Sequence, residues 1–180
     1  MNEELRLRVD ADTAPRFKGG SVDMVWHRPH THTNRGQHAI LCLPIQGGDY
    51  EVSTLFARHF ASRGFHALRF ERRAEWLDAS RPLEEMAGLV EQFVRDVERG
   101  VSQWLALPDN PVTRIGLFGV SMGAKIGTLV TANDPRIEGA VLCIGGADLE
   151  DVLLTGRDGE LDQYRDCLLY TSDAADEPMR

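Results

Sequence analysis

Strand-length apolar runs alternate with helix-length amphipathic stretches from residue 38 to residue 147, and this alternation constrains the fold more than any other feature. A short, continuous apolar run suits a strand buried on both faces, and successive parallel strands need a helix between them to return the chain to the same end of the sheet. The pattern predicts βαβ units around a mostly parallel sheet, with helices on both sides: a three-layer α/β architecture. The runs at 38–45, 65–70, 114–120 and 137–144 read as strands. Between the first two, 50–63 reads as a helix capped by Asp49, with Leu55, Phe56 and Phe60 on one face and Gly64 as its stop. Pro82 suits the first turn of a long helix, in which Met86, Leu89, Val90, Phe93, Val97, Val101 and Trp104 recur every three or four residues. A third helix is expected at 122–132, and antiparallel strands at 4–9 and 22–26 begin the sheet.

The segment that carries chemistry is Gly119-Val120-Ser121-Met122-Gly123, a G-x-S-x-G pattern with a strand before it and a helix after it. With 17 glycines and seven serines in the chain, chance would produce the pattern about 0.06 times, before the strand-turn-helix context is required. In that context the serine sits on a sharp turn at the C-terminal edge of the sheet, and the flanking glycines let strand and helix approach without Cβ clashes. The start of the following helix offers free N–H groups and the positive end of a dipole. Such donors can hold the oxyanion of an acyl-transfer intermediate, and the N–H of Met122 is the first of them.

The order of elements from Val22 to Gly146, with the elbow at Ser121, resembles the α/β-hydrolase family, and esterases and dienelactone hydrolases within it. The resemblance implies a serine hydrolase that cleaves a small-molecule carboxylic ester or thioester through an acyl-serine intermediate, without a cofactor. Family members complete the oxyanion hole with a backbone N–H from the turn after the third strand. Here that turn is Pro44-Ile45-Gln46-Gly47-Gly48, which makes Gln46 the candidate donor, although Pro44-Ile45 stands where His-Gly is common. The family's acid and histidine follow the serine in the chain, whereas His27, His30, His32, His38, His59 and His66 all precede it. Asp148 and Asp151, just past the sixth strand, are candidates for the acid or for helix caps. A catalytically inactive hydrolase-fold binding protein is the alternative reading. An acyltransferase of the malonyl-transfer type shares the elbow and a Gln-Gly turn, but such enzymes carry histidine before the serine and arginine about 25 residues after it, where this chain has Val120 and Gly146.

From Cys167 the chain reads CLLYTSDAADE, which resembles a one-frame translation of the transposase adapter used in sequencing libraries. The expected organisation is a partial hydrolase domain over 1–166, cut after about the sixth strand, and a non-native tail over 167–180. The natural protein is then expected to continue past Asp166.

The remaining features exclude more than they propose. A net charge of -8 and the lack of a basic, aromatic-interleaved patch argue against nucleic acid as a partner. No apolar run approaches the ~20 residues of a membrane span, and the acidic N-terminus lacks the charge of a secretory signal. Cys42, Cys143 and Cys167 form no C-x-x-C pair, which fits a reduced, cytoplasmic protein. His27, His30 and His32 lie within six residues, but no carboxylate or cysteine joins them at ligand spacing, so an exposed turn without metal is expected. His38 and His66 open strands and read as structural. The charged segment from Glu71 to Trp76 reads as a solvated loop.

Overall fold

A computed structural model of the chain describes residues 4–9, 22–29, 35–45, 50–71 and 83–145. Six strands and three helices follow in the order β1 (Glu4–Arg8), β2 (Asp23–His27), β3 (His38–Cys42), α1 (Tyr50–Ser62), β4 (His66–Glu71), α2 (Leu83–Leu105), β5 (Arg114–Val120), α3 (Met122–Asn133) and β6 (Ile137–Cys143). Every expected element is present. The largest shift is in β3, which ends at Cys42 rather than residue 45; beyond it Leu43 still donates one backbone hydrogen bond to the Phe118 carbonyl.

The strands form one mixed sheet in the order β1-β2-β4-β3-β5-β6. β1 pairs antiparallel with β2, and β2 antiparallel with β4. The β4–β3, β3–β5 and β5–β6 ladders are parallel. Alternating residues face opposite sides, as the two-residue strand period requires. Met24, Trp26, Leu41, Leu68, Phe70 and Leu117 join Phe93, Val97, Val101 and Trp104 of α2, with Ile126 and Val130 of α3, in the main core. Cys42 and Ala67 face the other way and meet Ala57 of α1. Helices thus cover both faces of the sheet. The apolar stripe of α2 is buried at every described position except Val90, which is half-buried.

Three expectations need correction. Glu71 is not part of a solvated loop: it is the last residue of β4, with its carboxylate held by Arg6 and Arg69, while residues 72–76 lie outside the described residues. Leu55 is 66% exposed, so it lies off the inner face of α1. That face is built from Ser53, Ala57 and Ala61, small side chains that let the helix lie close to the sheet. His27 is not part of an exposed turn: it is the last residue of β2 and only 2% exposed. His30 and His32 lie outside the described residues, as do Asp49, Pro82 and the 167–180 tail. Among the described residues, no three His, Cys, Asp or Glu side chains gather as a metal site, and no helix is long and apolar enough to cross a membrane.

Two buried histidines lie on opposite faces of the sheet, His27 at the end of β2 and His66 at the start of β4. Trp26 Nε1–H donates to His66 Nδ1 at 3.0 Å, which leaves Nε2 to donate to the Gly36 carbonyl at 3.1 Å and fixes a neutral ring. Among the described residues His27 has no hydrogen-bond partner on either ring nitrogen, and Glu4 lies 3.4 Å from Nδ1. Burial pushes His27 down from 6.5 to about 4, and burial lowers His66 as well. A base whose folded pKa is depressed binds its proton more readily in the unfolded chain. Its contribution is therefore complete above pH 6.5 and is lost as the pH falls toward 4. Urea titrations from pH 7.5 to 4.5 are expected to show up to about 2.5 kcal/mol of lost stability from His27. His27→Leu should flatten much of that dependence; an unchanged slope would show that the ring is not held neutral.

The two sheet edges differ in chemistry. β1 presents Arg6 and Arg8, paired with Glu71 and Asp23, and charge on an edge strand discourages pairing with other chains. β6 presents Val141 at 59% and Leu142 at 40% exposure, with no described strand beyond it. In sedimentation velocity the 180-residue chain is expected to self-associate at micromolar concentration, and Val141→Lys to shift it toward monomer. A monomeric wild-type chain would mean that this edge is covered.

Candidate active site

β5 delivers the chain to Ser121, and α3 begins at the next residue. Ser121 takes φ 53° and ψ −120°, a positive-φ region outside the left-handed α well that costs a residue with a Cβ roughly 1–3 kcal/mol. Three backbone hydrogen bonds hold it there. Its N–H donates to the Cys143 carbonyl at 2.9 Å, and its own carbonyl accepts from Ala124 at 2.9 Å and Lys125 at 3.2 Å. The hydroxyl makes no capping bond to the helix. The side chain is half-buried at the C-terminal edge of the sheet.

The glycines on either side have separate tasks. A Cβ on Gly119 would lie 2.3 Å from the Gly123 carbonyl oxygen and 2.8 Å from the Ala124 nitrogen, so strand and helix meet backbone to backbone. A Cβ on Gly123 would lie 2.9 Å from the Pro44 carbonyl oxygen and 3.0 Å from that of Leu43. The second glycine therefore seats the turn after β3 against the first turn of α3. Gln46 itself lies outside the described residues, two positions beyond Pro44. Met122, at the first position of α3, has one of the N–H groups that a helix cannot satisfy internally, and its side chain packs on the main core.

No described histidine stands beside the serine. In the β3–β5 register His38 is level with Arg114, seven residues before Ser121, or about 23 Å along the strand. His66 pairs with Ala39 at that same end, and His27 pairs with Ala67. His59 lies in the last turn of α1, which leads into the start of β4. Asp148 and Asp151 are outside the described residues. Cys42, the nearest cysteine on β3, is fully buried, and burial pushes its thiol up to about 12, so it stays protonated. The Cys143 carbonyl that anchors Ser121 was not legible in the sequence. It depends on the β5–β6 register, in which Val120 pairs with Cys143.

No family model and no curated protein matches the sequence. Solved structures do match. A hypothetical protein from Pseudomonas aeruginosa aligns at a TM-score of 0.63 with 18% identity, over 98% of this chain and 56% of its own. An esterase from Pyrococcus furiosus aligns at 0.61 with 13% identity, over 99% and 64%. A cold-adapted esterase from an Arctic intertidal metagenomic library aligns at 0.56 with 20% identity, over 77% and 59%. The chain thus spans less than two thirds of the length of each. By this likeness to solved structures, the mixed six-stranded sheet with its helices is part of an α/β-hydrolase fold.

Proposed function

We propose that this chain carries the nucleophile of a serine hydrolase that cleaves a carboxylic ester, or a thioester, through an acyl-serine intermediate. The observation that supports this most is the strained backbone at Ser121, held by hydrogen bonds on both sides while its hydroxyl is left uncommitted by the helix. In the proposed reaction a base takes the Ser121 proton as Oγ attacks the ester carbonyl. The tetrahedral oxyanion is held by the Met122 and Gln46 N–H groups. Collapse expels the alcohol with the proton from the base, and water then releases the acid by the same steps in reverse roles. The base and its acid are proposed to come from chain beyond Gly145, since the described histidines lie at the far end of the sheet.

A fluorophosphonate probe tests the reading, because an activated serine attacks its phosphorus as it would an ester carbonyl. In a full-length polypeptide the adduct is expected on Ser121 by peptide mass spectrometry. The 180-residue chain should label and turn over p-nitrophenyl acetate near background, since a serine without a positioned base is a poor nucleophile. No adduct in the full-length protein would favour a hydrolase-fold binding protein, and an adduct on another serine would reassign the nucleophile.

A further inference from the structure

The residue after β6 sits in a conformation that the described fold does not reward. Ile144 has φ 57°, where a β-branched side chain crowds its own backbone. It is also 86% exposed, the most exposed of the large apolar residues described. The turn is fixed on both sides. Before it, the Cys143 carbonyl accepts the Ser121 N–H at 2.9 Å. After it, Gly145 lies so near α3 that a Cβ there would be 2.9 Å from the Ala124 Cβ. Covalent geometry from the Cys143 oxygen then puts the Ile144 Cα within about 6 Å of the Ser121 nitrogen. Glycine would adopt this backbone without strain. Isoleucine strains it and leaves an apolar side chain in water. Both costs are offset if the apolar part of a substrate covers the side chain.

Resting on the reading of Ser121 as the nucleophile, we propose that Ile144 is a specificity-determining residue beside Ser121 that favours substrates with extended apolar acyl groups over acetyl. The test compares kcat/KM for p-nitrophenyl acetate and p-nitrophenyl octanoate in the full-length polypeptide. Ile144→Ala is expected to lower the octanoate value about tenfold, mainly through KM, and the acetate value less than twofold. Ile144→Gly should shift the ratio in the same way while raising the melting temperature by a few degrees, because it also removes the strain. An unchanged ratio overturns the proposal, whether or not the melting temperature moves. A fall in melting temperature with the ratio intact further shows that another part of the protein covers Ile144. The Ser121→Ala control separates the two levels: turnover that survives it, or no turnover in wild type, overturns the nucleophile reading and this proposal together.

Discussion

On the proposed function, Ser121→Ala in the full-length polypeptide is expected to abolish ester turnover, by about 10⁴-fold or more, while the fold survives intact. Only oxyanion donors and substrate binding would remain, and they give the small residual rate seen when a nucleophile is removed from such a site. Stability should barely move. Alanine keeps a Cβ at φ 53° and so keeps the strain that serine bears. Ser121→Gly makes the contrast: it should be equally inactive but more stable than Ser121→Ala by about 0.5–2 kcal/mol, the strain released less the entropy glycine loses on folding. Paired urea titrations of the two variants decide the point. Equal stabilities would show that the backbone at 121 is not strained.

Among the described glycines, Gly119→Ala is expected to be the most damaging added methyl, costing about 3 kcal/mol or more along with the activity. The new carbon would sit 2.3 Å from a carbonyl oxygen, 2.6 Å from its carbon and 2.8 Å from the next nitrogen, all of them backbone. No side chain can turn aside to admit it, so β5 and α3 must separate by about an ångström, and Ser121 moves with them. Gly139→Ala on β6 is the control, because nothing lies within 4 Å of the added carbon. It should change the melting temperature little. Similar losses at both positions would mean that the strand-to-helix contact is looser than the structure shows.

The elements were legible because their signals are local. The period of α2, the stop at Gly64, which takes φ 90°, and the glycines around Ser121 are all demands of the backbone itself. What the sequence did not disclose depends on which strands become neighbours. His27 stands beside Arg28 and among turn-forming residues, and reads as exposed. Its burial comes from strand β4, some forty residues later, which pairs with β2. Leu55 is apolar and at helical spacing, yet α1 turns it outward because Ala57 of the helix meets Ala67 of β4, a fit of small against small that the apolar count cannot reveal. At the candidate site the sharp turn at Ser121 and its glycines were readable, while the Cys143 anchor and the exposed Ile144 turn were not. Both follow from the β5–β6 register.

The strand order also sets how the chain must emerge during synthesis. β3 lies between β4 and β5, so one edge waits for residue 71 and the other for residue 120 before its ladders can close. At ribosomal rates of about 5–20 residues per second, the second edge stays open for about 4–16 seconds after β3 is made. Through that interval Ala39 and Leu41, which end in the deepest part of the core, are presented on an extended, half-paired segment, the kind of surface that nascent-chain chaperones bind. Among the described strands, β3 is thus the one that waits longest for its second neighbour.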